Sequence, residues 1–243
     1  MAKAEPKYED LVERLQTLGF MGDSDAAFLK TIVETYGLTH VAYLGVRLPG
    51  RTQPCGAASY PTEWIDRYAA SGYMSVDPVV LGTLKSLTPL DWLSLDRKSA
   101  NYKKIFGEAG EFGIGEQGLS FPMRGPKGES ALLSVVGEKT SLRRWNSFKR
   151  KHLRELYLLA YYVHHRAVAS LSDRPGTVRL SPRENACLQW AARGKTMEEI
   201  GTILGISGNT VRVYLDASRR KLNCSNIAHS VAAALTLGLI EPP

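Results

Sequence analysis

No run of the 243-residue sequence approaches the roughly 18 consecutive apolar residues that a membrane-spanning helix needs. The opening MAKAEPKYED also lacks the apolar core of a signal peptide. A cytoplasmic protein with no membrane partner is the expectation. Only three cysteines occur, Cys55, Cys187 and Cys224, far apart and without a C-x-x-C pair, so a disulfide framework is excluded and reduced, partly buried thiols are expected. The five histidines, His40, His152, His164, His165 and His229, fall at no metal-ligand spacing, and no G-x-S-x-G elbow or Cys–His pair is present. No catalytic constellation, metal site or cofactor is therefore expected. GIGEQG, Gly113 to Gly118, matches the dinucleotide fingerprint literally, but it follows helical and precedes strand-like residues, the reverse of the required order, so it reads as a turn.

What is present is globular: 44% hydrophobic and 23% charged residues exclude a disordered chain. The formal charge of +7 points to an anionic partner. SLSDRPGTV carries the Ser, Asp, Pro and Gly of a linker, which places a boundary at about residues 170–177 and domains at 1–169 and 178–243. From Arg174 onward nine Lys or Arg face five Asp or Glu, so the smaller part is the denser in positive charge.

In the first part YEDLVERLQTLGF and SDAAFLKTIVETYG carry apolar residues at spacings of three and four, the helical period, with Ser24 or Asp25 as cap of the second. HVAYLGVRL reads as a strand, and LSFPMRGPKGESALLSVVGE as two strands joined by a hairpin at RGPKGE. A long helix follows in NSFKRKHLRELYLLAYYVHHRAVASL, with Leu153, Leu156, Tyr157, Ala160 and Val163 on one face and an end near Ser170.

The second part divides into four short helices. Ser181-Pro182 with Glu184 three positions on forms a capping box, and Gly194 ends that helix. Thr196 caps the next, striped by Met197, Ile200 and Leu204 and closed at Gly205, and Ser207 caps a third. Val211, Leu215 and Leu222 of the third face inward, leaving Asn209, Thr210, Arg212, Val213, Asp216, Arg219 and Arg220 outside. Two helices across a glycine turn, the second with a polar and cationic outer face, is the helix-turn-helix arrangement that enters a DNA major groove.

LSPRE, ARGKTMEEIGTILGISGNTVRVYLDASRRKL and AHSVAAALTLGLI resemble the LuxR-type DNA-binding domain across the whole second part, with the characteristic Glu184, Leu188 and Gly194 in place. The resemblance implies an all-α four-helix domain in which the helix from Asn209 to Lys221 reads double-stranded DNA and the last helix joins a homodimer. Arg212 carries a planar fork that matches guanine O6 and N7 and is the leading base reader, beside Asn209, Thr210 and Val213. Arg219, Arg220 and Lys221 are expected to grip phosphates.

YPTEWIDRYAASGYMSVDPVV, followed by Trp92 and the Gly118 of GLSFP, is similar to the signature of acyl-homoserine-lactone receptors of the same family, through Trp64, Tyr68, Asp77 and Pro78. The resemblance implies an α+β chain: an N-terminal α/β/α sandwich around an antiparallel sheet, enclosing the signal molecule, ahead of the helix-turn-helix domain. Such a ligand offers two carbonyl acceptors, one amide N–H and an apolar chain. Indole N–H suits the lactone carbonyl from Trp64, the acceptor-only carboxylate of Asp77 suits the amide N–H, and the hydroxyls of Tyr60 and Ser134 reach the amide carbonyl. Tyr68, Val80 and Trp92 line the rest. Trp64 and Tyr68, four apart, also fit a plain core, and Asp77 before Pro78 also fits a helix cap.

A carboxylate enclosed without its partner is costly, so the unliganded domain is expected to be held loosely and completed by ligand. The implied function is a quorum-sensing transcription factor that binds a pseudo-palindromic promoter site as a dimer and, in most of the family, activates RNA polymerase. Two alternatives use the same residues: a regulator responding to a different small amphiphile, or a repressor. An enzyme that modifies lactones would need a paired nucleophile and base, which the sequence does not offer.

Overall fold

A computed structural model of the chain describes residues 8–20, 25–49, 51, 53–125, 128–172 and 178–242. A first compact unit takes most of the chain up to Ser170, and the chain from Leu171 belongs to a second.

The first unit opens with α1 (Tyr8–Gln16) and α2 (Asp25–Tyr36), then β1 (His40–Arg47) and β2 (Cys55–Ala58). Next come α3 (Thr62–Ala70), a 3-10 turn at Tyr73–Ser75, α4 (Pro78–Lys85), β3 (Leu90–Asp91), a second 3-10 turn at Trp92–Ser94, and α5 (Ala100–Glu111). The strands β4 (Gly118–Arg124) and β5 (Ser130–Val136) precede the 31-residue helix α6 (Leu142–Ser172). The strands form one antiparallel sheet in the order β2-β1-β5-β4-β3. Ala42 faces Ala58, and Leu90 faces Ser120. The expected hairpin is thus present as β4 and β5, although Pro126 and Lys127 of its turn lie outside the described residues.

Both faces of the central strands are buried, and their alternation sorts two cores. Leu119, Phe121 and Met123 of β4 and Ala131, Leu133 and Val135 of β5 pack with Leu11, Phe28, Ile32, Leu156, Leu159 and Val163 from α1, α2 and α6. The residues between them point the other way, where Val136 meets Val79, Trp92, Tyr102 and Phe106. Helices therefore cover the sheet on both sides, which a sheet apolar on both faces requires. Truncating a fully buried Leu156 or Leu159 to alanine would cost about 2–5 kcal/mol.

Three expectations are corrected. The long helix begins at Leu142, not near Asn146, and it continues to Ser172 into the segment read as linker; residues 173–177 and the proposed cap Ser24 lie outside the described residues. Leu153 and Tyr157 flank the buried face of α6 and do not sit in it, and Leu153 is 38% exposed. The short strands β2 and β3 were not expected at all.

The second unit consists of α7 (Pro182–Ala192), α8 (Met197–Leu204), α9 (Gly208–Lys221) and α10 (Ile227–Thr236). Capping boxes start α7, through Ser181 and Glu184, and α8, through Thr196 and Glu199. Ser207 caps α9 and Asn226 caps α10. Gly205 takes the left-handed conformation that ends α8 (φ 66°), so the chain can turn into α9 without the steric penalty a Cβ would bring. Cys187, Leu188, Ile200, Val211, Leu215, Ala234 and Ile240 form the core.

Candidate functional site

Asp77 stands at the centre of the aromatic stretch because the chain turns there from the 3-10 segment into α4. Pro78 occupies the first helical position, and Asp77 Oδ1 accepts from the Val79 N–H at 2.7 Å, so the residue is the helix cap its sequence position suggested. Its other oxygen accepts from the Tyr68 hydroxyl at 2.8 Å. The acid is enclosed yet not alone: it is 8% exposed, accepts from the Tyr68 hydroxyl and the Val79 N–H, and feels the Val80 N–H as well. This corrects the expectation of an unpartnered carboxylate. These donors leave part of the roughly four lone-pair sites of a carboxylate available.

Burial pushes the Asp77 pKa above the usual carboxylate value, against the pull of the Tyr68 hydroxyl and the Val79 and Val80 N–H groups. Burial and then the Asp77 charge raise the phenol pKa of both Tyr60 and Tyr68, so each remains a protonated donor. Tyr60 packs against two neighbouring clusters, one of Trp64, Tyr73, Ile105, Ala109 and Ile114, the other of Val79, Trp92, Tyr102, Phe106 and Val136. Trp64 is 4% exposed, with Tyr68, Tyr73 and Phe112 around its ring at centroid distances of 5.8, 6.2 and 5.6 Å. Among the described residues, neither the Trp64 indole N–H nor the Tyr60 hydroxyl has a hydrogen-bond partner. Val80, at the third position of α4, is also buried.

Trp92 is fixed differently. Its Nε1–H donates to Ser120 Oγ at 2.8 Å, and Ser120 Oγ lies 2.7 Å from Ser134 Oγ. All three are buried on the sheet face opposite α6. When Ser120 donates onward to Ser134, the Ser134 hydroxyl proton remains free to donate elsewhere. Ser120 was not singled out from sequence, although a serine interrupting LSF in one strand as Ser134 interrupts LSV in the next was a usable signal. Asp91, just before Trp92, caps the following turn by accepting from the Leu93 N–H and also accepts from the Lys149 ammonium of α6. A Cβ at Gly118 would sit 2.4 Å from Trp92 Cδ2. Gly118→Ala should therefore push the indole off Ser120 and destabilise the chain by about 1–3 kcal/mol; thermal melts that match wild type would show that the ring is not held there.

On α9 the seven residues expected to meet DNA separate into two groups. Asn209, Arg212, Val213 and Arg220 are exposed and Thr210 is half-exposed, while Val211, Leu215 and Ser218 are buried beneath them. Arg219 is tied to Asp216 at 3.5 Å and to the Cys224 carbonyl at 3.3 Å. Lys221 donates to Glu184 Oε2 at 2.7 Å, which holds the end of α9 to the start of α7. Glu184 is 6% exposed and its side chain also accepts from the Ser181 N–H, so the exposed Lys221 supplies the cation that a buried acid needs.

Burial alone would raise the Glu184 pKa, but the Lys221 ammonium and the Ser181 N–H outweigh it and hold the group below the usual glutamate value of 4.5. A lowered native pKa stabilises the fold above the unfolded value, and that contribution is lost as pH falls through the native one. Glu184→Gln should thus cost about 1–3 kcal/mol at pH 7, and the melting curves of variant and wild type should begin to converge as pH falls below 4.5. A constant difference down to pH 3 would contradict the ion pair.

Comparison with known proteins returns matches over both units. Residues 26–167 match the autoinducer binding domain, and residues 178–234 match the bacterial regulatory proteins of the luxR family. The chain is 34% identical over 185 residues to the transcriptional activator protein RaiR of Rhizobium etli, covering 74% of this chain and 75% of that one. It is 32% identical over 244 aligned positions to the HTH-type quorum sensing-dependent transcriptional regulator RpaR of Rhodopseudomonas palustris, covering 97% and 94% of the two. A structure of SdiA in complex with octanoyl-rac-glycerol superposes with a TM-score of 0.71 at 22% identity, over 96% of this chain and 94% of that one, a likeness of fold. Among the described residues no helix is long and apolar enough to cross a membrane.

Proposed function

Because the chain belongs to the LuxR family of transcriptional regulators, with an autoinducer-binding domain ahead of a helix-turn-helix domain, we propose that Tyr60, Trp64, Tyr68, Asp77, Val80, Trp92 and Ser134 hold an N-acyl-homoserine lactone. The observation that carries this reading is the grouping of a buried, partly satisfied acceptor, Asp77, with two donors, the Trp64 indole and the Tyr60 hydroxyl, that have no hydrogen-bond partner among the described residues. A ligand with one amide N–H and two carbonyls matches that set one for one. The Asp77 carboxylate takes the amide N–H, Trp64 donates to the lactone carbonyl, and Tyr60 with Ser134 donates to the amide carbonyl. With Ser120, which accepts from Trp92, donating onward to Ser134, the Ser134 hydroxyl proton is left to donate to that carbonyl.

Ligand bound to the native chain and not to the unfolded one stabilises it by RT ln(1 + [L]/Kd), about 2.7 kcal/mol at a hundredfold excess over Kd. That is a large share of a domain's usual 5–15 kcal/mol, roughly speaking. The stabilised protein then binds a pseudo-palindromic promoter site as a homodimer, with α9 of each copy in the major groove and half-sites about 34–36 Å apart. It acts as an activator in contact with RNA polymerase.

A mobility shift on the promoter beside its own gene, with lactones of graded acyl length, tests this reading. A retarded band that appears or strengthens with one lactone supports it. A shift indifferent to every lactone contradicts it, and mass spectrometry of the extracted ligand then identifies the amphiphile that takes its place.

A further inference from the structure

Between Leu142 and Arg154 the helix α6 carries six Lys or Arg and no Asp or Glu. At 100° per residue, Arg143, Arg150 and Arg154 fall within about 40° of one another around the helix, with Arg144 and Lys151 on the adjoining strip. All five are exposed. The buried side of the same helix is opposite, through Trp145, Leu156, Leu159 and Val163. Lys149 is engaged with Asp91, Lys151 has a partner of its own, and the Glu155 carboxylate lies 3.6 Å from His152 Nδ1. Arg143, Arg144, Arg150 and Arg154 form no ion pair among the described residues. At 1.5 Å rise per residue the stripe from Arg143 to Arg154 is about 16 Å long.

We propose that this stripe is a second, sequence-independent DNA-docking face, one that grips phosphates. Charge complementarity selects the occupant. Duplex DNA presents about one negative charge per 1.7 Å of axis, so a 16 Å cationic row spans several phosphates, and the arginine fork matches phosphate oxygens in pairs. The three aligned arginines lie outside the helix-turn-helix, so phosphate, which is the same at every base pair, is the contact proposed for them.

The test measures binding of the full chain to a 40-base-pair duplex of arbitrary sequence across a salt series, so it does not depend on the identity of the small ligand or the promoter. The Arg143→Gln, Arg150→Gln, Arg154→Gln variant should flatten the slope of log K against log salt by about 2 to 3, at roughly 0.9 per phosphate released. A control with the same loss of charge, Lys85→Gln, Lys98→Gln, Lys103→Gln at exposed positions elsewhere on the first unit, should flatten it by less than about 1. The triple Arg→Lys variant should keep the wild-type slope. Equal slopes for the two Gln variants would mean that net charge alone is at work and would overturn the proposal, as would a wild-type slope in the arginine variant. A wild-type slope accompanied by lost transcriptional activation would assign the stripe to an acidic protein, which also overturns it.

Discussion

Asp77→Asn is expected to weaken lactone binding about 10- to 100-fold, the equivalent of the roughly 1.5–3 kcal/mol of a hydrogen bond to a charged group, while leaving the fold close to intact. Asparagine caps a helix as well as aspartate does, so its one carbonyl oxygen can serve the Val79 N–H as Asp77 Oδ1 does now. Its amide group then presents donors toward Tyr68 and toward the ligand N–H, where acceptors are needed. The substitution therefore separates the cap from the ligand contact, which an alanine would not. Titration calorimetry gives the affinity loss, and a melting curve near wild type shows that the cap has held. Unchanged lactone affinity would remove Asp77 from the site.

Acidification should act in the same direction. The Asp77 pKa lies above the usual 3.8 because burial outweighs its donors. With the native pKa raised, the carboxyl favours the folded state most at low pH, and that contribution is lost as pH rises through the native value. Ligand works the other way: its N–H needs the ionised form, so lactone affinity should fall as pH drops through the pKa of the free protein. Whenever the buried acid is ionised, a ligand N–H relieves part of its desolvation cost.

Arg212→Ala is expected to cost about 1–3 kcal/mol at one operator base pair and to relax specificity there, since the guanidinium reads two acceptors of guanine together. Arg212 is exposed on α9 between the buried Val211 and Leu215, so its removal leaves the core of the second unit alone. Competition between the cognate site and single-base variants measures the effect. A variant that keeps the wild-type ratio between cognate and scrambled sites would transfer the role to Asn209 or Val213. Lys221→Ala should behave differently, lowering stability through Glu184 while leaving the specificity ratio intact.

The elements that were legible in the sequence are those whose pattern is local. Ser181 with Glu184, Thr196 and Ser207 announce helix starts within four residues, and the structure has caps at each. The strands β2 and β3 escaped notice because Cys55–Ala58 is small and weakly β-forming and Leu90–Asp91 is two residues long. Their pairing comes from distant partners, Ala42 opposite Ala58 and Leu90 opposite Ser120. The candidate site divides in the same way. Tyr68 and Asp77 lie nine residues apart, and their hydrogen bond was within reach of motif reading. The Trp92–Ser120–Ser134 relay joins three elements across the sheet, and the Glu184–Lys221 tie spans 37 residues, so neither has a local signature.

The most direct measurement compares an acyl-homoserine lactone with its ester isostere, in which oxygen replaces the amide N–H, on wild type and on Asp77→Asn. Wild type should bind the amide at least tenfold tighter than the ester, about 1.4 kcal/mol or more, and the variant should bind the two alike. Equal affinity of wild type for amide and ester would contradict a carboxylate that recognises the ligand by its nitrogen-bound hydrogen.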